Sequence, residues 1–256
     1  MYISVVIPIY NEEGSINTLY NRLSRVMEGI HLEYEIIFID DGSNDDSLKL
    51  IRSIINNDNK VKAISFDKNY GQHPAVIAGF EKAQGKFIVT LDADLQNPPE
   101  EIPKLIDAIN DGYDMVSGIR VLRKDNNFRQ LSSACSNIFL NLLTRSHIND
   151  YGTMLRVFKK EFAKKMSIHY RRNRLYIPVL INTLTNNILE IELSHENRFA
   201  GESKYAFFKL IKTFISIVIR YHRGFTAFLK FFHIIKEDDV LYRVKEQIEI
   251  QKSRHI

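Results

Sequence analysis

The sequence predicts an α/β fold: a mainly parallel, Rossmann-like sheet with helices on both faces, followed by a C-terminal amphipathic helical appendage. Three observations predict it. Short apolar runs alternate with amphipathic stretches of helix length through the first half of the chain, and repeated β-α units at that spacing assemble as parallel strands under helices. Polar, carboxylate-rich clusters follow the runs, where ligands bind in open parallel sheets. Past residue 200 the pattern turns helical, aromatic and basic.

The elements are justified in order. Ile3 to Ile9 is the first strand, running into Pro8-Ile9-Tyr10-Asn11-Glu12-Glu13 and a helix from Glu12 to Met27. Glu35 to Ile39 is the second, with Asp40-Asp41-Gly42-Ser43 at its end and a helix from Asp45 to Ile55. Val61 to Phe66 precedes Asn69-Tyr70-Gly71-Gln72-His73 and a helix from Pro74 to Ala83. Phe87 to Leu91 precedes Asp92-Ala93-Asp94-Leu95-Gln96 and a helix from Pro99 to Asn110. Met115 to Ser117 is the fifth strand. No internal repeat or low-complexity linker interrupts the chain; a soft boundary near residue 200, where the pattern turns helical, aromatic and basic, separates an α/β domain, 1–200, from a segment, 201–256. Glu237 to Lys252 is expected to be a charged helix within that segment.

The bulk numbers narrow the class. With 256 residues, 45% hydrophobic and 26% charged, the chain suits one large α/β domain with an appendage, or two small domains. The single cysteine, Cys135, excludes an internal disulfide and fits a reducing compartment. Met1 leads almost directly into the first strand without a basic region or cleavage site, so no signal peptide is expected. No window approaches the roughly 18–20 apolar residues that span a bilayer. The net charge of +4 is unevenly distributed. Residues 1–118 carry 10 Lys+Arg against 19 Asp+Glu, whereas 119–256 carry 25 against 12. An acidic front suits metal and nucleotide, and a basic rear suits an anionic partner. No nucleic-acid-binding motif accompanies the charge, so nucleic acid is not the expected partner.

Asp92 and Asp94 straddle a small residue at the end of an apolar strand, a spacing that lets two carboxylates share one hard divalent cation. Such a cation, Mg2+ or Mn2+, would neutralise charge building on a leaving diphosphate, and Gln96 could add a neutral oxygen. A bare D-x-D string also occurs as a loop or cap carboxylate pair. The nearby Asp40-Asp41 favours a functional reading. Asp41 itself reads either as a turn carboxylate or as a contact to base or ribose, and Tyr10 and Glu12 could meet a nucleoside. Neither a G-x-G-x-x-G after the first strand nor a G-x-x-x-x-G-K-[ST] is present, which argues against dinucleotide and P-loop sites. His73 and His195 each follow a strand candidate, but isolated histidines are more often structural.

SVVIPIYNEE (Ser4 to Glu13), IIFIDDGSNDDS (Ile36 to Ser47) and LDADLQNPPEEIP (Leu91 to Pro103) resemble family 2 glycosyltransferases of the GT-A fold. NYGQHPAVIAGF (Asn69 to Phe80), DYGTMLRVFKKE (Asp150 to Glu161) and RFAGESKY (Arg198 to Tyr205) are similar to polyprenyl-phosphate glycosyltransferases. These are of the dolichol-phosphate mannosyltransferase and undecaprenyl-phosphate aminoarabinose transferase types. The resemblance covers about residues 3–210. It implies an inverting, metal-dependent glycosyltransferase moving a sugar from a nucleotide diphosphate-sugar, carried on uridine diphosphate, to a polyprenyl phosphate. It implies that Pro8, Tyr10, Glu12, Ile39, Asp41, Asp92 and Ala93 line the nucleotide-sugar site, with Asp92, Asp94 and Gln96 around the metal. Arg120, Arg198 and Lys204 would face phosphate, and Arg fits phosphate oxygens as a planar fork while Lys acts as a point charge. Asp94, Arg120 and Asp150 form the expected catalytic set, Asp150 orienting the acceptor or accepting a proton. Bacterial relatives of this type continue into two transmembrane helices. Lys204 to Ile235 here is instead basic and aromatic, so peripheral attachment to the cytoplasmic face of a membrane is expected. Packing against a second copy or a membrane-embedded subunit is the competing use of that surface. Transfer to a saccharide hydroxyl and a non-catalytic nucleotide-sugar-binding role are the competing functions.

Overall fold

The computed structural model describes residues 2–120, 137–138, 140–141, 148–173, 177–196 and 241–249. An eight-stranded sheet runs through them. Its first half alternates as expected: β1 (Ile3–Ile9), α1 (Ile16–Gly29), β2 (Tyr34–Asp40), α2 (Ser47–Asn57), β3 (Val61–Phe66), α3 (Gln72–Lys82) and β4 (Phe87–Thr90). A 3-10 turn (Pro99–Glu101), α4 (Ile102–Ile109) and β5 (Met115–Arg120) follow. The remaining elements are β6 (Arg156–Lys159), α5 (Lys160–Asn173), α6 (Ile177–Leu184), β7 (Ile188–Leu193) and β8 (Val244–Ile248).

The strand order is β7-β5-β6-β4-β1-β2-β3-β8. β1 pairs in parallel with β2 and β4, β2 with β3, and β5 with β7. β6 and β8 run antiparallel to their neighbours. Strand alternation divides the core. Ile3, Val5, Ile7 and Ile9 of β1 and Ile36 and Phe38 of β2 face one hydrophobic cluster, and Val6, Ile37 and Ile39 face the other. Both faces are buried, which is why these strands read as unbroken apolar runs. α1 covers the first face with Ile16, Leu19, Leu23 and Met27, one stripe at helical spacing. α3 is buried along Pro74 to Phe80, and Gly79 lets it approach β1 so closely that a Cβ there would meet Val6 Cγ1 at 2.1 Å.

β6 has consequences for the site. Inserted antiparallel between β4 and β5, it places its first residue, Arg156, opposite Thr90 and Ser117. The chain entering β6, from Ile148 to Leu155, therefore lies at the carboxyl edge of the parallel strands. β8 corrects the sequence reading. Val244 to Ile248 is a strand on the edge of β3, not part of a helix from Glu237 to Lys252. Leu241, Val244 and Ile248 have helical spacing, but a free sheet edge offers ladder hydrogen bonds, and such tertiary pairing overrides a short local pattern. The boundary expected near residue 200, Arg198, Lys204 and the stretch Lys204 to Ile235 lie outside the described residues.

Candidate active site

The carboxyl ends of β1, β2, β3 and β4 meet along one edge, and two of their loops are laced together. Ser43 Oγ accepts from Asn11 N at 3.0 Å, Ser47 Oγ from Glu12 N at 2.9 Å, and Asn11 Oδ1 from Asn44 N at 2.8 Å. These bonds require Asn11 at φ 52°, a left-handed conformation that Asn tolerates. They fix Tyr10 and Glu12 beside the end of β2. A polar cavity of about 260 Å3 opens there, walled by Tyr10, Ser43, Asn44, Lys68 and Asn69 among others.

Asp40 and Asp41 diverge. Asp40 turns inward, its Oδ1 accepting from Ser43 N at 3.1 Å and its Oδ2 from Ser65 Oγ at 2.8 Å. Asp41 accepts from Tyr70 N at 2.7 Å and Gly71 N at 2.8 Å, clamping the loop after β3. Gly42 at φ 70° allows this, since a Cβ there would strike the Lys68 backbone at 2.4 Å. Burial raises the Asp41 carboxyl to about 6 in spite of the two N–H bonds, with Asp40 adding to the rise. Ile39 is fully buried in the second core, and Ala93 is 4% exposed. Only their backbones remain for a ligand.

At the end of β4, Asp92 Oδ1 accepts from Gln72 Nε2 at 2.7 Å, and Asp94 Oδ1 accepts from Gln96 N at 3.1 Å. Leu95 between them adopts φ 62°, strained backbone that costs of order 1 kcal/mol and clusters at functional turns. Enclosure and the neighbouring Asp94 charge push Asp92 well above the usual carboxylate range, and Arg120 and Arg156 oppose the shift. Arg120, on β5, donates from Nε to Asp150 Oδ2 at 2.7 Å and from Nη2 to Oδ1 at 2.8 Å. Asp150 also accepts from Arg120 N and Gly152 N, so four N–H bonds occupy its two oxygens. Burial alone would raise its pKa, but the Arg120 bonds prevail and lower it.

Arg156 was not singled out from the sequence. It is 3% exposed, held by Ser117 Oγ and by Tyr151 O at 2.9 Å, and its charge reaches both Asp92 and His73. His73 is pushed down to about 4 by burial and by Arg156, so it is neutral near pH 7. The sequence signal for Arg156 was a charge inside an otherwise apolar run, Met154 to Phe158, adjacent to a functional turn. A network also fastens the turn after β4. Arg22 of α1 bonds both Glu100 and Glu196, and Gln96 O accepts from Glu196 N at 2.9 Å.

The residues present fit a divalent cation. Asp92 and Asp94 repel each other, a repulsion that a cation relieves, and two carboxylates are the complement with which Mg2+ is commonly held alongside phosphate oxygens. Among the described residues no group of three or more His, Cys, Asp or Glu side chains gathers to hold a metal. The remaining ligands would come from Gln96 and the diphosphate.

A mixed, mostly parallel sheet whose carboxyl edge carries both a polar cavity and a carboxylate pair is the GT-A architecture. The chain belongs to glycosyl transferase family 2, whose profile matches residues 4–167. It is 44% identical over 210 residues to the undecaprenyl-phosphate 4-deoxy-4-formamido-L-arabinose transferase of Proteus mirabilis, covering 82% of this chain and 64% of that protein. The enzyme of the same name from Aeromonas hydrophila is 42% identical over 217 residues, covering 84% and 66%. The chain thus spans about two thirds of the length of these curated relatives. Among solved structures it is similar to glucosyl-3-phosphoglycerate synthase from Mycobacterium tuberculosis in complex with Mn2+, uridine-diphosphate-glucose and phosphoglyceric acid. The TM-score is 0.61, covering 86% of this chain and 79% of that one at 16% identity, a likeness of fold alone.

Proposed function

We propose that this chain transfers a sugar, with inversion, from a uridine diphosphate-linked donor to a polyprenyl phosphate, working peripherally at the cytoplasmic face of a membrane. The observation that carries the reading is the Asp92–Asp94 pair at the end of β4, on the same sheet edge as the polar cavity, with the charges of Arg120 and Arg156 acting on Asp92. The names of the relatives at 42–44% identity support the lipid-phosphate acceptor.

The nucleoside would lie against Tyr10 and the turn of Asp41, with Pro8 and Glu12 bordering it and the backbones of Ile39 and Ala93 beneath. A Mg2+ or Mn2+ ion held by Asp92, Asp94 and Gln96 would neutralise charge on the departing diphosphate. The chain's own residues do the rest by position. Arg120 is held in place by Asp150 through its Nε and Nη2, and its permanent positive charge suits a phosphate near the reacting centre. A phosphate monoester is largely dianionic at neutral pH, its second pKa being about 6, so the acceptor is already a nucleophile. Asp150, with both oxygens engaged by N–H donors, therefore acts through Arg120 rather than as a general base. Arg156 steadies Asp92 from the buried side. Arg198 and Lys204 would meet the acceptor phosphate.

A panel of nucleotide-sugars offered to undecaprenyl phosphate with Mg2+ or Mn2+ tests the proposal. Lipid-phosphate-dependent product supports it. Transfer to a saccharide hydroxyl without the lipid overturns the acceptor, and donor binding without turnover leaves a nucleotide-sugar-binding subunit.

A further inference from the structure

β8 lies outside the family match, which ends at residue 167, yet it is fastened to the sheet by more than its ladder. Tyr242 stacks on Phe66 with ring centroids 4.8 Å apart. Asp67 N donates to Arg243 O at 3.2 Å, Glu246 pairs with Arg52, and Glu249 lies near Lys62 and Lys82. The ladder shifts register between Ser65 and Phe66, where β3 leaves the sheet for the cavity. There Lys245 joins Tyr10, Ser43, Asn44, Lys68 and Asn69 around the polar cavity. Glu246 of β8 and Glu249 just after it have cationic partners. Lys245 and Lys68 have no ion pair among the described residues, and the two carboxylates that also line the cavity are engaged elsewhere, Asp40 by Ser43 N and Ser65 Oγ and Asp67 by Tyr70.

We propose that β8 is part of the donor site: Lys245, with Lys68, binds the nucleobase of the nucleoside diphosphate and favours a base that presents a ring carbonyl. This rests on the donor reading above. The cavity, at about 260 Å3, is smaller than the roughly 300–1,000 Å3 of drug-sized ligand sites, so it takes one end of the donor. Neither Asp92 nor Asp94 lines it, which assigns it to the base rather than the diphosphate. An ammonium donates hydrogen bonds and accepts none, so it pairs with a carbonyl oxygen and not with an exocyclic amine. The Tyr10 ring supplies the apolar surface that a base needs.

Isothermal titration of the full chain with UDP and with uridine, for the parent, Lys245→Ala and Lys245→Arg, tests this. Lys245→Ala is expected to weaken both ligands about five- to tenfold, or roughly 1–1.4 kcal/mol, with an unchanged melting temperature and with affinity restored in Lys245→Arg. ADP, whose base carries an amine where uracil carries a carbonyl, should bind the parent weakly and be indifferent to Lys245→Ala. Unchanged UDP affinity in Lys245→Ala overturns the role of β8 while leaving the donor site intact. A loss with UDP but not with uridine overturns the base assignment in favour of the phosphates. Failure of the parent to bind any nucleoside diphosphate overturns both this inference and the proposed function.

Discussion

Two carboxylates near the cleft are shifted in opposite directions, and the signs are testable separately. Asp150 is held below its ordinary value by Arg120, so its stabilisation is present above the unfolded pKa near 4 and is lost as pH falls through the depressed folded value. Asp41, raised to about 6, holds a proton in the native state that the unfolded chain has released between about pH 4 and pH 6. Its contribution therefore falls by about 1–2 kcal/mol as pH rises through that window, allowing for partial solvent screening. Thermal unfolding from pH 3 to pH 7 separates them. Asp150→Asn should cost of order 3 kcal/mol at pH 7, with the deficit shrinking toward pH 3. Asp41→Asn should gain on the parent between pH 4 and pH 7; a flat difference would show that Asp41 is not buried as an anion. The proposed metal ligand differs again. Asp94 sits at a turn rather than in the core, so Asp94→Asn should leave unfolding within about 0.5 kcal/mol of the parent while removing nearly all transfer. Excess chelator should do the same to the parent, and full activity in chelator would return the pair to structural duty.

At the scale of elements, what the sequence made legible follows from local pattern. β1 to β5 and α1 to α4 declare themselves by periodicity and by the turns between them, and Asp41, Asp92 and Asp94 stand where strand ends put them. β6 was not legible because four residues, Arg156 to Lys159, begin and end in charge, and only their place between β4 and β5 makes them a strand. With β6 went the meaning of Arg156 and the pairing of Arg120 with Asp150, which are 30 residues apart in the chain. β8 was misread because its partner strand is remote in sequence. The contact between α1 and the loop after β7 is equally long-range, and it carries a prediction. Arg22→Ala removes the fork joining Glu100 to Glu196. Partly exposed ion pairs contribute about 0.2–1 kcal/mol each, so the fold should survive. Gln96 is tied to Glu196 through backbone, so the turn carrying Asp94 should loosen and the metal concentration for half-maximal transfer should rise several-fold. An unchanged metal titration with an unchanged turnover would confine Arg22 to holding the helix.

For the molecule as a whole, the division of charge gives the site its direction. The acidic first half supplies the Asp92–Asp94 pair and most of the cavity wall, Arg120, Arg156 and Lys245 come from the basic second half, and among the described residues no helix is long and apolar enough to cross a membrane. The sequence from residue 198 to residue 235 carries seven Lys or Arg against one acid, Glu202, together with Phe207, Phe208, Phe214, Phe225, Phe228, Phe231 and Phe232. Basic and aromatic residues in that proportion suit a segment lying in an anionic interface, where each cation contributes about 1 kcal/mol of attraction. A polyprenyl phosphate presents its phosphate at headgroup level, so an enzyme using it gains by residing there. Flotation with liposomes decides between this and packing against protein. Binding should require anionic lipid, weaken as salt rises because screening shortens the reach of surface charge to about 8 Å at physiological ionic strength, and fall when Phe214 and Phe228 are both replaced by Ser. The double variant must retain the parent's unfolding transition and UDP affinity for the loss to count. Retained flotation with neutral lipid, at high salt and in the double variant would place these side chains against protein instead.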